Sequence, residues 1–359
     1  MPRTAPPHQI QKKKDKQKSN LPLLIDSGCS VLNCCCSDYI HGAWVPGTIV
    51  TLPGGTDSGK TVLVLSTLAL AANNPLLKNH SLFYDDVESK MRINIRKCFN
   101  AKAAANIKPP PLGKSITVED FENNIVQLLQ KEKKSIIYVL DTPDSLSTGE
   151  ETDTTYKNMI KSAKSADDIV KLKGYQYAEK AKVLHRIFRE INDDLEATKS
   201  LLIMVQQVKQ KMNAMQFERK EYTSGGNAPA HVSIHRPWMS RKGNIKSEDK
   251  TEKVGIRTYV DLVKNHYTGK LRSCEFDIYY DLKGMIDDIA CTVDWLCDKG
   301  EWKKKGSWIN ATELDVKLQR NDLINFIEEN EKEEELRSIL QRHWNDREES
   351  LRLKRKGRF

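Results

Sequence analysis

The residues from Gly54 to Thr61 carry the strongest chemical signal in this 359-residue sequence, because they fit the pattern G-x-x-x-x-G-K-[ST]. Glycines let successive backbone N–H groups turn inward around a phosphate, and the helix that follows adds unpaired N–H groups and the positive end of its dipole. We expect Lys60 to reach the β- and γ-phosphates of ATP and Thr61 to place its hydroxyl on Mg²⁺. The predicted cofactor-binding run is Gly54, Gly55, Thr56, Asp57, Ser58, Gly59, Lys60 and Thr61.

Acidic residues at the ends of two predicted strands could complete this site. Asp141 directly follows the continuous apolar run 136–140, and we expect it to hold the magnesium ion together with Thr61. ATP hydrolysis also needs a carboxylate that acts as a base or orients water. Three candidates follow the preceding predicted strand, namely Asp85, Asp86 and Glu88. The residues alone do not choose among these three.

Apolar segments in the first two thirds of the chain must position these groups. The predicted strands are 47–52, 81–84, 135–140 and 200–205, and the predicted helices are 61–74, 116–130 and 173–197. Apolar strands that alternate with helices are typical of a mostly parallel sheet covered on both faces. After Ser224, the segments 231–235, 255–264 and 273–280 predict hairpins, and charged helices follow from Asp287. The expected fold class is α/β, with C-terminal β-hairpins and a small, largely helical C-terminal domain.

Positive charge is concentrated at the two ends of the chain, whose formal net charge is +9. Residues 1–20 hold six basic residues and one acid, and residues 340–359 hold seven basic residues and three acids. Basic ends on a neutral body indicate a polyanionic partner such as nucleic acid. We expect a basic, disordered arm over 1–20, an ATPase core over 21–283, and a small domain with a basic tail over 284–359.

The composition argues against the membrane and secreted classes. No charge-free apolar stretch is long enough for a transmembrane helix, and the N-terminus lacks an apolar signal region. Eight cysteines without a C-x-x-C pair predict reduced thiols and a cytoplasmic protein. Scattered histidines predict packed or surface positions, not a metal site, at His41, His231 and His235. Three tryptophans are predicted in the core of the small domain: Trp295, Trp302 and Trp308.

The segment 208–226 mixes cations with flat or apolar side chains. Its cations are Lys209, Lys211, Arg219 and Lys220, and Met212, Met215, Phe217 and Tyr222 lie among them. Cations for phosphates and flat side chains for bases are usual in sequence-independent binding of single strands. An ordinary solvated loop is the alternative from charge alone. The closing pair Gly225-Gly226 and the position after Gln207 favour DNA binding.

Together these pieces resemble the RecA recombinases of bacteria and phages. Four stretches carry the resemblance, namely 25–61, 136–147, 201–228 and 257–284. The third, LLIMVQQVKQKMNAMQF…TSGGNA, is the most specific. The family has there an apolar strand, a glutamine, a mobile DNA-binding loop and a Thr-Gly-Gly-Asn-Ala close. The resemblance implies a RecA-like P-loop core, and residues 285–309 look like the start of the family's small C-terminal domain.

The resemblance implies roles for further residues. Gln207 would sense the γ-phosphate of ATP and relay it into the DNA loop. Lys264 would reach the ATP of a neighbouring subunit, and the family's second such lysine is His266 here, which is charged only if its pKa is raised. A first DNA loop would lie around 165–174. With Arg219 added for its charge, the predicted DNA-binding residues are Lys209, Lys211, Phe217, Arg219, Thr223, Gly225 and Gly226.

The resemblance would place the family's catalytic glutamate at Val87 if no gap is allowed, and a slip of one residue brings Glu88 or Asp86 into its place. We predict Glu88 as the catalytic carboxylate and leave Asp85 and Asp86 open. The predicted catalytic set is Lys60, Glu88, Asp141 and Gln207, and the predicted magnesium ligands are Thr61 and Asp141.

The function implied by the resemblance is that of an ATP-dependent recombinase. It would form a helical homo-oligomeric filament on single-stranded DNA and exchange strands with double-stranded DNA. The basic tails and the faint similarity between motifs favour a phage or viral version, which would act in the host cytoplasm. One alternative is a hexameric helicase with the same core, and another is a filament mediator that binds DNA and hardly hydrolyses ATP.

Overall fold

The computed structural model describes residues 21–149, 166–210, 221–223 and 228–355. The strands are β1 Thr48–Gly54, β2 Ser81–Asp86, β3 Ile107–Lys108, β4 Ile136–Asp141, β5 Leu201–Gln210, β6 Glu221–Thr223, β7 His235–Lys246, β8 Lys253–Asn265, β9 Ser273–Tyr279, β10 Lys303–Lys305, β11 Trp308–Ala311 and β12 Val316–Gln319. The α-helices are α1 Ser30–Ser37, α2 Lys60–Asn73, α3 Ile95–Cys98, α4 Ala101–Asn106, α5 Val118–Val126, α6 Ala166–Thr198, α7 Ala228–Val232, α8 Asp288–Asp298, α9 Arg320–Glu329 and α10 Glu333–Ser350. A π turn, Gln127–Lys131, extends α5.

The large sheet has the strand order β3-β2-β4-β5-β1-β7-β8-β9, and β6 pairs with β5. The strands from β3 to β7 run parallel, whereas β8 and β9 continue the sheet antiparallel. The register places Gly54 beside Gln207 and Asp86 beside Asp141. The carboxyl ends of four parallel strands therefore bring the P-loop, both acidic segments and the glutamine to one edge of the sheet. The predicted α/β fold class is confirmed.

Helices cover both faces of this sheet, and the alternation of side chains along each strand explains why. On β4, Ile137 and Val139 join one hydrophobic cluster, whereas Ile136 and Tyr138 join the other. The first cluster also contains the apolar residues of α2, and the second contains those of α5 and α6. Burial on both faces requires strands that are apolar at every position, and this accounts for the continuous apolar runs in the sequence.

The transition from parallel to antiparallel strands differs from the prediction. The segment predicted as a strand over 231–235 is wrong, because residues 228–232 form α7 and β7 begins at His235. The Lys264 ammonium donates to the carbonyl oxygens of Ala230 and His231 at 2.9 and 2.7 Å. These bonds satisfy carbonyl groups at the end of the short helix.

The C-terminal elements pack on one another and on the first cluster. Trp295 of α8 stacks on Trp344 of α10 with ring centroids 5.5 Å apart, and both are buried. Trp302 is buried as predicted, and its indole nitrogen donates to Glu313 at 2.7 Å. The prediction is wrong for Trp308, whose side chain is 45% exposed. Strand alternation turns its neighbour Ile309 inward and leaves Trp308 on the outer face.

Helix α1 is hydrogen-bonded to helix α8, which lies more than 250 residues later in the sequence. The backbone N–H and the hydroxyl of Ser30 each donate to the Asp288 carboxylate at 2.6 Å. Burial raises the pKa of Asp288 to about 7. Next to this pair, the sulfur atoms of Cys29 and Cys291 lie 3.6 Å apart. All eight cysteines fall within the described residues and are free thiols.

Neither a metal cluster nor a membrane span is found in the part of the chain that the structure describes. No three His, Cys, Asp or Glu side chains there converge to hold a metal ion. His235 is buried, and burial lowers its pKa to about 4. None of the described helices combines the length and apolar character needed to cross a membrane.

Candidate nucleotide-binding site

The predicted phosphate-binding loop connects the end of β1 to the start of α2. Gly59 has a φ of 89°, and a Cβ atom there would lie 2.4 Å from Cδ1 of Ile278. A Cβ atom on Gly54 would lie 2.5 Å from the carbonyl oxygen of Met239. Both positions therefore require glycine, one for its left-handed backbone and both for close packing against other strands. The loop geometry depends on the antiparallel part of the sheet as well as on the motif.

The Lys60 side chain is buried within this loop. Its ammonium group donates to the carbonyl oxygens of Gly54 and Gly55 at 2.8 and 2.5 Å and to the Ser58 hydroxyl at 3.3 Å. Burial lowers the pKa of Lys60, while the nearby carboxylates of Asp141 and Asp57 favour its charged form. A buried cation held by uncharged carbonyl oxygens is well suited to take an anionic phosphate as a partner.

The two predicted magnesium ligands lie next to each other. The Thr61 hydroxyl donates to the Asp141 carboxylate at 3.2 Å, and the phenol of Tyr84 donates to the same oxygen atom at 2.6 Å. Burial raises the pKa of Asp141, and the hydrogen bonds from Tyr84 and Thr61 oppose this shift. A hydroxyl and a carboxylate at the mouth of a phosphate loop are the hard oxygen ligands that Mg²⁺ prefers. The donor set fits the metal.

Three acids are candidates for the catalytic carboxylate, and in the structure two of them, Asp85 and Asp86, are engaged in other contacts. The Asp85 carboxylate is fully buried and accepts hydrogen bonds from the Ser115 N–H, the Ser115 hydroxyl and the Tyr138 phenol at 3.0, 2.6 and 2.7 Å. Its contacts tie the segment around Ser115 to the sheet. Asp86 lines a cavity beside the phosphate-binding loop, but its carboxylate accepts hydrogen bonds from the backbone N–H groups of Lys90 and Met91. Asp85 therefore has a structural position, and Asp86 organises a turn.

Glu88 lines the same cavity. It accepts hydrogen bonds from the Ser145 hydroxyl at 2.5 Å and from the side-chain amide of Gln207 at 3.3 Å, and it pairs with the Lys90 ammonium at 2.7 Å. Partial burial alone would raise the pKa of Glu88, but the bonds from Lys90 and Ser145 outweigh it and lower the pKa. Glu88 is therefore a charged acceptor beside Gln207, which makes it the best placed of the three candidates.

A cavity of about 620 Å³ joins these groups. Its remaining wall comes from distant strands and loops, and this wall includes Arg241, Ile256, Ile278, Tyr280 and Met285. Tyr280 is 48% exposed at the mouth of the cavity. Sequence reasoning missed this wall, because its residues match no local motif and reach the loop only through the strand order of the sheet.

Lys264 and His266 lie near the start of strand β7, at the opposite end of the strands from the phosphate-binding loop. In the β7–β8 pairing, Asn265 is beside His235 at the start of β7, whereas the P-loop residue Gly54 is beside Met239 further along that strand. Neither Lys264 nor His266 lines the cavity. Their contact with the ATP of a neighbouring subunit stays a prediction.

The described part of the predicted DNA loop begins directly beyond the cavity. Gln207 and Lys209 are exposed near the end of β5, and β6 returns antiparallel so that Lys209 is beside Tyr222. The Thr223 hydroxyl accepts a hydrogen bond from Arg236 at 3.0 Å. The other predicted DNA-binding residues lie outside the described residues: Lys211, Phe217, Arg219, Gly225 and Gly226.

The predicted first DNA loop around 165–174 differs from the structure over most of its length. Helix α6 begins at Ala166, so residues 166–174 are helical. The helix prediction of 173–197 therefore began too late, because polar residues at its start hide the helical periodicity.

The strand order, the P-loop and the acid at the end of β4 define a RecA-like P-loop fold. The family model of the RecA N-terminal domain matches residues 165–285. Protein RecA of Malacoplasma penetrans is 23% identical over 289 residues, which cover 80% of this chain and 79% of that protein. Protein RecA of Rickettsia bellii is 24% identical over 291 residues, or 80% and 75% of the two chains. The resemblance to the RecA-type recombinases is confirmed by these matches.

Proposed function

We propose that this chain is an ATP-dependent DNA recombinase that forms filaments on single-stranded DNA and promotes homologous pairing and strand exchange. The main observation in support of the proposal is that the residues around the cavity continue directly into the start of the predicted DNA loop. Lys60, the Thr61–Asp141 pair, Glu88 and Gln207 share a cavity, and Gln207 lies two residues before Lys209 at the start of the predicted DNA loop. A change at the phosphate end of the cavity would therefore act directly on the backbone that continues into the loop.

ATP would enter with its phosphates on the P-loop and its base against the apolar wall that includes Tyr280 and Met285. The Lys60 ammonium would exchange the carbonyl oxygens of Gly54 and Gly55 for phosphate oxygens. Thr61 and Asp141 would hold Mg²⁺, which neutralises charge on the phosphate oxygens.

Glu88 would accept the proton of the attacking water, and its lowered pKa keeps it deprotonated at neutral pH. The Gln207 amide, which now donates to Glu88, would turn toward the terminal phosphate when ATP is bound. This exchange of partners links nucleotide state to the end of β5. ATP and DNA would then favour the same conformation and raise each other's affinity by the same factor.

The proposal is tested by the binding of fluorescent oligo(dT) to the full chain with ADP or with a non-hydrolysable ATP analogue. The ATP analogue should raise the affinity of the wild type, and Lys60→Ala should remove that difference. Lys78→Ala is a matched control, because Lys78 is an exposed lysine away from the cavity. Equal affinities with both nucleotides in the wild type would refute the coupling.

Electron microscopy and turnover measurements separate the proposal from its alternatives. A helical filament on single-stranded DNA with strand exchange supports the recombinase. A closed ring that unwinds duplex DNA would favour the hexameric helicase. DNA binding without any DNA-stimulated phosphate release would favour the filament mediator.

A further inference from the structure

A short turn after β4 contacts both groups that would respond to the terminal phosphate of ATP. The 3-10 turn Pro143–Ser145 follows Asp141 by one residue. The Asp144 carboxylate accepts the backbone N–H of Gln207 at 2.8 Å, and the Ser145 hydroxyl donates to Glu88 at 2.5 Å. Two consecutive residues of one turn therefore hold the glutamine backbone and the candidate base.

The turn is itself fixed by a buried lysine of helix α6. Lys180 is 5% exposed, and its ammonium donates to the carbonyl oxygens of Asp144 and Leu146 at 2.9 and 2.5 Å. Burying an ammonium group costs free energy unless its donors are satisfied. A leucine or methionine would fill the same space without that cost, so packing alone does not explain a lysine here. Its two carbonyl bonds span the turn and restrict it to one position.

We propose that the turn Pro143–Ser145, anchored by Lys180, is a positioning device that aligns Glu88 and Gln207 for ATP hydrolysis and connects them to helix α6. This inference rests on the proposed function and deepens it. Ser145 supplies the bond that holds the Glu88 carboxylate beside Gln207. Ser145 and Lys180 are positioning residues, since they act through Glu88 and Gln207.

The first test measures DNA-stimulated ATP turnover of Ser145→Ala as a function of pH. Loss of one hydrogen bond to a charged group should lower kcat about tenfold. Because the Ser145 bond lowers the pKa of Glu88, its removal should move the acid limb of the pH profile to higher pH. The matched control is Ser147→Ala, whose hydroxyl bonds the Ile116 carbonyl oxygen outside the cavity. A purely structural role would change the unfolding temperature without moving the pH profile.

A double-mutant cycle that combines Ser145→Ala with Glu88→Gln tests whether the two residues act together. If Ser145 acts through Glu88, then Ser145→Ala should have little further effect on kcat in the Glu88→Gln background. Independent, multiplicative losses would overturn the positioning role.

The second test removes the anchor and needs no turnover. In Lys180→Met, amide hydrogen exchange of the peptide that ends β5 should speed up about tenfold, since the Gln207 N–H loses a fixed acceptor. Lys182→Met is the control, because Lys182 lies on the same helix with a 78% exposed side chain. The fold of Lys180→Met is first verified by circular dichroism. If the Gln207 amide of this variant then exchanges at the same rate as in the wild type, the inference is overturned.

The failures of the two proposals are distinguishable. If the wild type hydrolyses ATP with DNA but Ser145→Ala and Lys180→Met match it, only the positioning device is refuted. If the wild type shows no coupling between nucleotide and DNA, the proposed function is refuted, and exchange at Gln207 alone decides whether the turn is held by Lys180.

Discussion

Replacing Asp141 by asparagine should separate the stability of this chain from its activity. The same carboxylate oxygen accepts both the Tyr84 phenol and the Thr61 hydroxyl, so an amide oxygen in its place keeps both hydrogen bonds. The substitution removes the carboxylate charge, whose desolvation raises the pKa of Asp141 more than its attraction to Lys60 lowers that pKa. We expect Asp141→Asn to stabilise the metal-free protein by about 1 kcal/mol at pH 7. That corresponds to a rise of about 1 °C in Tm for a chain of this length.

The pH dependence gives the sign of this effect. A carboxyl group whose folded pKa is raised contributes full stability below its unfolded pKa, and this contribution is lost as pH rises through the folded pKa. The wild type should therefore lose stability between acidic and neutral pH relative to Asp141→Asn, and the two should converge near pH 4. Thermal unfolding in EDTA, followed by circular dichroism from pH 4 to 8, measures the difference.

Activity should change in the opposite direction. Without the Asp141 charge, magnesium is held less well, and Mg²⁺-dependent ATP turnover should fall roughly a hundredfold. Asp120→Asn is the control, because Asp120 closes a capping box at the start of α5 and its backbone hydrogen bonds lower its pKa despite partial burial. It should destabilise at pH 7 by about 1 kcal/mol and leave turnover unchanged. A destabilised or fully active Asp141→Asn would refute the reasoning.

Three further predictions concern the base wall, the DNA loop and the C-terminus. Tyr280→Ala should weaken binding of a fluorescent ATP analogue about tenfold through lost aromatic contact, and an unchanged Kd would exclude Tyr280 from the base site. Lys209→Ala with Lys211→Ala should make the salt dependence of single-strand affinity shallower by about 1.4 in log–log slope, and an unchanged slope would remove both residues from the DNA contact. Deleting 352–359 should weaken duplex binding without changing Tm, whereas deleting 340–359 should lower Tm because Leu340 and Trp344 are buried; equal Tm values for the two truncations would contradict this packing.

The positions of the loop 54–61 and of Asp141 were predictable because each depends on a pattern of only a few residues. A glycine-rich turn between an apolar strand and an apolar helix, and an acid at the end of a second apolar strand, need no knowledge of distant parts of the chain. Burial on both faces keeps those strands apolar, so the parallel core could also be predicted from the sequence.

The remaining parts of the site depend on tertiary structure. Asp85 and Glu88 differ in their surroundings, because Asp85 accepts hydrogen bonds from Ser115 and Tyr138 and Glu88 accepts them from Ser145 and Gln207. No local pattern distinguishes the two. Tyr280 and Met285 reach the cavity only because β9 lies two strands beyond β7. Trp308 shows the same limit, since its exposure depends on which face of the four-residue strand β11 packs on helix α9.

The bonds between Ser30 and Asp288 have a consequence for biosynthesis. The two residues are 258 positions apart, and the partner of the N-terminal helix emerges from the ribosome after most of the chain has been made. Until then, the apolar side of α1 and the preceding Cys29 lack the surface that buries them in the finished protein. Contacts of such long sequence separation are formed late and slowly. Until α8 has been synthesised, the apolar residues around α1 therefore remain exposed, and the packing of α8 then helps to bury them.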